Sequence, residues 1–244
     1  MRIMIVGATS AIAHETAKFF ARDGVEFFLV ARSAEKLEDI GNDLKVRGAK
    51  RIETFVLDVT DLDRHQEMVE TAITTLDGLD MVLIAYGTLA NQQKCQRSVA
   101  ETLKEFTTNC TSVISLLTIL ADYFERQRRG CIAVISSVAG DRGRPSNYVY
   151  GAAKSAVSTF LQGLRSRLHK SGVAVVTIKP GFVDTDLTKG MPGLFWLISP
   201  DQAAAKILAA ARRGSVTAYV PARWRLVGLV IRSIPSFLFR RLKI

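Results

Sequence analysis

Ser137-Val-Ala-Gly140, a short basic loop, and then Tyr150-Gly-Ala-Ala-Lys154 form the stretch from which the fold is read. Before it lies an apolar run, Cys131-Ile-Ala-Val-Ile135, that reads as a buried strand. After it comes a helical pattern that begins near Tyr148 and runs to about Lys170. A tyrosine and a lysine four residues apart share one helix face, one turn from each other. A free phenol has a pKa of about 10 and is a poor proton shuttle at neutral pH. An ammonium group one turn away favours the phenolate and lowers that pKa. Tyr150 and Lys154 therefore read as an acid/base pair near neutrality. Ser137, at a strand end, places a hydroxyl where it can face the helix start and hold a carbonyl oxygen.

Working outward, the chain of 244 residues suits one α/β domain with a single core, and its apolar fraction of 48% is ordinary for a folded domain. Cys95, Cys110 and Cys131 show neither metal-ligand spacing nor a paired framework, which excludes a cysteine metal site and a disulfide scaffold. They read as reduced residues of a cytosolic protein, with Cys110 and Cys131 in the core. The first apolar run, Ile3 to Val6, is too short for a signal segment, and no stretch approaches the roughly 20 apolar residues that span a bilayer. The net charge of +10 is concentrated at the C-terminal end. Nine of the 33 basic residues follow Asp201 with no acidic residue among them, leaving residues 1–201 at +1.

Arg2 to Val6 reads as a strand ended by Gly7, and Ala11 to Arg22 as a helix. This is the first unit of a dinucleotide fold, in which a helix N-terminus faces the pyrophosphate. Val25 to Val30 reads as the second strand; no carboxylate stands at its end to hold ribose hydroxyls, and Arg32 follows Ala31. An arginine there pairs with a 2′-phosphate through charge-assisted hydrogen bonds, so NADP is expected over NAD; the bland alternative is a surface arginine ahead of a helix capped by Ser33. Arg51 to Leu57 reads as the third strand, followed by Asp58-Val59, and a helix over Asp61 to about Thr75 carries His65, expected on the surface. Leu79 to Ala85 reads as the fourth strand, leading to Tyr86-Gly87. Residues 95–129 read as two helices, with Asn109 inside the second, where its side chain competes with the backbone. Gly172 to Ile178 and Ser215 to Val220 read as the last two strands.

The constellation of Ser137, Tyr150 and Lys154 resembles the short-chain dehydrogenase/reductase family. The resemblance covers residues 1–220 and implies a Rossmann-type doubly wound parallel sheet of about seven strands in order 3-2-1-4-5-6-7. It implies a catalytic set of Asn109, Ser137, Tyr150 and Lys154, with Asn109 serving a proton relay and Lys154 holding the nicotinamide ribose. The family's Gly-x-x-x-Gly-x-Gly appears as Gly7-Ala-Thr-Ser-Ala11-Ile12-Ala13, keeping the first glycine alone. Thr9 and Ser10 can supply hydroxyls to phosphate. The resemblance gives Asp58, beside Val59, a contact with the adenine amino group; a strand-to-helix turn is the alternative. The family's Asn-Asn-Ala-Gly appears as Ile84-Ala85-Tyr86-Gly87, without either asparagine. Pro180-Gly181-Phe-Val183-Asp-Thr185 matches Pro-Gly-x-Val-x-Thr, in which the Val183 backbone meets the nicotinamide carboxamide and Thr185 reaches the phosphates. Asp184 to Ser199 is expected to form an apolar lid, suited to a lipophilic substrate or else packed into the core.

Residues 221–244 read as a basic amphipathic extension of the same domain. If helical to Ile234, Trp224, Val227, Val230, Ile231 and Ile234 share one face, with Arg225 and Arg232 opposite and Pro235 breaking the helix. This composition fits a membrane-surface segment; a helix that completes the fold or an oligomer interface fits it as well. Nucleic acid is not expected, because the arginines alternate with large aliphatic residues. Asp141 to Tyr150, the short lid and Arg232-Ser-Ile-Pro-Ser-Phe-Leu-Phe-Arg-Arg-Leu242 resemble decaprenylphosphoryl-2-keto-erythro-pentose reductases. That narrower resemblance implies a keto-sugar carried on a polyprenyl phosphate and a cytoplasmic protein peripheral to the membrane. Dimers and tetramers are common in the wider family, so a homo-oligomer is an open expectation.

Overall fold

The computed structural model describes residues 1–242; Lys243 and Ile244, which close the expected extension, lie outside the described residues. The chain runs β1 (Arg2–Val6), α1 (Ala11–Ala21), β2 (Glu26–Ala31), α2 (Ala34–Val46), β3 (Arg51–Val56), α3 (His65–Leu76) and β4 (Met81–Ile84). It continues through α4 (Gln92–Cys95), α5 (Val99–Phe106), α6 (Ser112–Gln127), β5 (Cys131–Ile135), α7 (Tyr148–Leu168) and β6 (Ala174–Pro180). Then follow α8 (Pro200–Arg212), β7 (Thr217–Val220), α9 (Trp224–Ser233) and α10 (Ser236–Phe239). Among the described residues, seven strands form one parallel sheet in the order β3-β2-β1-β4-β5-β6-β7, the expected doubly wound topology.

The central strands are continuous apolar runs because helices cover both of their faces. Alternation along β1 and β2 divides the core in two. Met4, Val6, Phe28 and Val30 pack with residues of α3, α6 and α7, whereas Ile3, Ile5, Phe27 and Leu29 pack with α1, α2 and α8. The order reverses between β1 and β4, which opens a crevice at the carboxyl ends of the strands. Gly7, Ala85, Ser136 and Pro180 all stand at those ends.

Val157, Leu161, Leu164 and Leu168 fasten α7 to the sheet at helical spacing. Burying side chains of this kind contributes about 1.5–3 kcal/mol each. Together they fix the rotation of the helix that carries Tyr150 and Lys154.

Three expectations require correction. His65 is fully buried, with Nε2 bonded to the Val59 carbonyl at 3.0 Å and Nδ1 to Ser115 Oγ at 2.9 Å. It heads the apolar stripe His65, Met68, Val69, Ala72, Leu76, and its two hydrogen bonds offset its desolvation. The two helices expected over 95–129 are α5 and α6, run together through one π-helical turn at Thr107–Thr111. In the tail, Trp224 and Gly228 are buried and Val227, Ile231 and Ile234 half-buried, but Val230 is 62% exposed and belongs to the opposite face.

Candidate active site

A cleft of about 730 Å³ runs along the crevice, a size usual for a small-molecule site. Every expected cofactor residue lines it: Gly7, Thr9, Ser10, Ile12, Arg32, Asp58, Val59, Ala85, Gly87, Tyr150, Lys154, Pro180, Gly181, Val183 and Thr185. Ser137 lines it too, whereas Asn109 is fully buried behind the wall.

At one end, the Ser10 side chain caps no amide of α1 and is left to a ligand, and Ala11 opens the helix at the cleft wall. Gly7 has a φ of +85°, and a Cβ there would lie 2.7 Å from that of Tyr86, so a side chain at this turn would displace β4's continuation. Arg32 is exposed, with Nη1 4.0 Å from Asp58 Oδ2, a loose pair that leaves the guanidinium available. Asp58 itself is held by the Thr60 amide at 2.9 Å and the Thr60 hydroxyl at 2.7 Å, which keep its carboxyl below the usual range. These features fit a dinucleotide: small residues at the phosphate turn, a helix N-terminus and an exposed, loosely paired arginine at the ribose end.

At the other end stand the reacting groups. Ser137 Oγ accepts from the Ala139 amide at 3.1 Å, which turns its hydroxyl toward α7. Ser136 braces the same junction, bonding the Lys154 carbonyl at 3.0 Å and Ser158 Oγ at 2.8 Å. Gly140 and Gly151 allow the loop and helix to touch: a Cβ at Gly140 would lie 2.8 Å from the Lys154 backbone. Lys154 Nζ donates to the Ile135 carbonyl at 3.2 Å and lies 5.8 Å from the Tyr150 ring centre. Burial pulls the Lys154 ammonium down to about 8. Burial pushes the Tyr150 phenol up, and its hydrogen bond with Ser137 acts in the opposite direction. The expected lowering of Tyr150 by Lys154 is therefore not found: the ammonium is turned toward Ile135, and desolvation dominates.

Asn109 sits in the π-helical turn, a distortion that is frequent at functional sites. Its Oδ1 accepts from the Thr88 amide at 3.0 Å, and its Nδ2 donates to the Glu105 carbonyl at 3.1 Å and to Thr88 Oγ1 at 3.0 Å. Thr88 Oγ1 in turn bonds Glu105 Oε2 at 2.6 Å. The sequence reading missed Thr88 and Glu105, which close this network from the cleft wall. A Cβ on Gly87 would lie 2.9 Å from Asn109 Oδ1 and 3.3 Å from Lys154 Nζ, so the glycine is what leaves room for both groups at the strand end. Tyr86 replaces one bracing asparagine with a different brace: its hydroxyl meets Ser112 Oγ at 2.9 Å.

Two more residues were not read from sequence as part of the cleft, Trp224 having been placed only on the apolar face of the tail. Arg144 lines the cleft, forms no ion pair among the described residues, and is lowered from its ordinary value by burial. Trp224 covers Gly181 so closely that any side chain at 181 would collide with its indole. It joins an aromatic cluster with Phe182 at 5.4 Å, Phe195 at 5.2 Å and Trp196 at 5.9 Å between ring centres. Only the chance of an indole in a basic tail hinted at this position.

A family model described as short chain dehydrogenase matches residues 1–192. An uncharacterized oxidoreductase of Mycobacterium tuberculosis (strain ATCC 25618 / H37Rv) is 32% identical over 240 residues, 98% of this chain and 96% of that protein. An uncharacterized oxidoreductase of Streptomyces coelicolor is 33% identical over 242 residues, 98% of this chain and 95% of that protein. The solved structure of a levodione reductase superposes with a TM-score of 0.81 at 20% identity, covering 90% of this chain and 95% of that one. A short-chain type dehydrogenase/reductase from Mycobacterium marinum gives a TM-score of 0.80 at 20% identity, covering 89% and 92%. Likeness at such identity is a likeness of fold.

Proposed function

This chain belongs to the short-chain dehydrogenase family of oxidoreductases, and from that premise we propose that it reduces a carbonyl to a secondary alcohol with NADPH. The observation that carries the proposal is the convergence of Ser137, Tyr150 and Lys154 on one end of the cleft whose other end holds Arg32. The bound dinucleotide supplies the hydride to the carbonyl carbon. Arg32 holds the 2′-phosphate and sets the preference for NADP over NAD. Thr9, Ser10 and the start of α1 receive the pyrophosphate, Asp58 and Val59 the adenine, Pro180 to Val183 the nicotinamide side, and Thr185 reaches the phosphates. Ser137 donates its hydroxyl to the carbonyl oxygen. Tyr150 transfers its proton to that oxygen as negative charge develops there, and Lys154 stabilises the phenolate left behind. Asn109, with Thr88 and Glu105, supports return of a proton toward Lys154.

The substrate we assign is a keto-sugar carried on a polyprenyl phosphate, taken by a cytoplasmic protein peripheral to the membrane. Two features favour an amphiphilic anionic substrate. Arg144 is a cleft-lining cation without a counter-ion among the described residues. The lid presents Met191, Phe195, Trp196 and Leu197 outward. A second reading, a soluble reductase of a fatty-acyl or steroid-like ketone, uses the same apolar lid but leaves Arg144 without a role. The test is NADPH consumption by the full chain with a polyprenyl-phosphate keto-pentose, a fatty-acyl ketone and a steroid ketone in parallel. Fastest turnover is expected with the first, and it should fall in Arg144→Ala. Equal turnover of all three with no effect of Arg144→Ala would replace the first reading by the second.

A further inference from the structure

We propose that the lid and the tail form one collar around the mouth of the cleft, and that this collar seats on an anionic lipid surface. The proposal names the partner of the site and rests on the lipophilic-substrate reading for what enters the cleft. Helix α9 has two apolar faces. One is spent on the fold through Trp224, Gly228, Ile231 and Ile234. The other leaves Leu226 69%, Leu229 56% and Val230 62% exposed, at the i, i+3, i+4 spacing of a single stripe. Past Pro235, Phe237 and Leu238 are exposed as well. A helix that only completed the fold would need the first face alone.

The lid and tail are physically joined. The Arg223 guanidinium lies 4.6 Å from the Trp196 ring centre, and Trp224 packs against both Phe195 and Trp196. Phe182 and Trp224 of the same aromatic cluster line the cleft, so the exposed lid residues stand at its rim. The tail is also anchored to the loop between Ser137 and Tyr150. Arg142 Nη1 donates to the Ile231 carbonyl at 2.6 Å and lies against the Phe239 ring, 3.8 Å from its centre. Gly228 abuts Asp141, where a Cβ would lie 2.9 Å from Oδ2; that carboxylate pairs with Lys179 and accepts from Tyr219 at 2.9 Å. The collar is thereby held in a fixed relation to the reacting groups.

Charge decides the occupant. Arg223, Arg225, Arg232, Arg240 and Arg241 are exposed around the stripe, and none forms an ion pair among the described residues. No acidic residue follows Asp201. Arginines that flank an apolar stripe carry their charge to head groups while the stripe enters the acyl boundary. A second copy of this chain laid on the tail would set arginines against arginines, with no side-chain carboxylate among residues 202–242 to pair them. No described helix is long and apolar enough to cross a membrane, so the contact is with the surface.

The chain has two tryptophans, and both are in the collar: Trp196 exposed and Trp224 buried. Full-length protein is mixed with phosphatidylglycerol/phosphatidylcholine vesicles and with pure phosphatidylcholine vesicles. Emission should shift to the blue with the first set, and bromine-labelled acyl chains should quench it; Trp196→Phe should remove most of the response. Leu229→Asp with Val230→Asp should weaken partitioning by about tenfold or more while leaving NADPH affinity unchanged. Absence of partitioning by the unaltered chain would overturn the collar, as would a double variant that splits a dimer and partitions as before. Turnover of a water-soluble ketone is measured on the same samples. Turnover without vesicle binding removes the collar alone; vesicle binding without turnover removes the reductase reading alone.

Discussion

Tyr150→Phe is expected to slow carbonyl reduction by about 10²–10⁴-fold, the range that a positioned general acid supplies, with NADPH affinity unchanged. Phenylalanine keeps the ring and the helix face but removes the proton that the proposed mechanism transfers to the oxygen, leaving only the hydrogen bond from Ser137. The size of the effect follows from geometry and burial together. Desolvation holds the phenol protonated well above neutral pH, the form that a reduction consumes. The Ser137 hydroxyl opposes part of that shift and, in the proposed mechanism, shares the same oxygen of the substrate. Ser137→Ala should therefore cost less than Tyr150→Phe, because it removes an orienting donor and leaves the proton source. Initial rates of NADPH consumption, with affinity from a separate titration, separate the two effects. A Tyr150→Phe protein that keeps its rate would remove tyrosine from the role of acid.

Lys154→Met is expected to lower the rate by about 10²-fold or more and to abolish one limb of the pH profile. A buried ammonium with one carbonyl partner is costly to keep, and a cost left standing in a cleft points to use rather than to stability. With its pKa pulled down to about 8, Lys154 is charged below that pH and loses its proton above it. In the proposed mechanism the ammonium stabilises the phenolate that Tyr150 becomes once its proton has passed to the substrate. Reduction by the unaltered chain should thus be level from neutrality to about pH 8 and decline above it, by about tenfold for each further unit. Tyr150, raised by burial, stays protonated through that range and does not produce the decline. In Lys154→Met the residual rate should show no break near 8. A break that survived the substitution would belong to another group.

The strands and the Tyr150–Lys154 pair were legible because each rests on local pattern. Apolar runs such as Ile3 to Val6 and Cys131 to Ile135 have little alternative to a doubly covered sheet, and four-residue spacing puts the pair on one face whatever surrounds it. His65 was misread although its signal was present: it stands at the head of the stripe completed by Met68, Val69, Ala72 and Leu76. A polar residue at an apolar position should be given a buried partner before it is given to solvent. The Asn109 network was out of reach, since Thr88 lies across 21 residues and the π-helical turn leaves no local mark. Trp224 over Gly181 was equally hidden, a contact between a tail and a strand end that only the folded sheet brings together. The rise in the Tyr150 pKa was missed for a different reason. Spacing gives the distance between two groups on a helix but not how far each is withdrawn from water, and here desolvation outweighs distance.

The central claim is that this cleft holds NADPH with its 2′-phosphate on Arg32 and its nicotinamide beside Tyr150. It is tested most directly by titrating the full chain with NADPH and with NADH while following energy transfer from tryptophan to the reduced nicotinamide. Trp224, at the Gly181 wall, and Trp196, 5.9 Å from it between ring centres, are the donors. Saturable transfer is expected with both, tighter for NADPH, and Arg32→Ala should lower the NADPH affinity by about tenfold while sparing NADH. Tyr150→Phe should bind as the unaltered chain does. Absence of transfer with either dinucleotide would contradict the claim and show that Ala11 and Ala13, in place of two glycines, close the phosphate turn to its ligand.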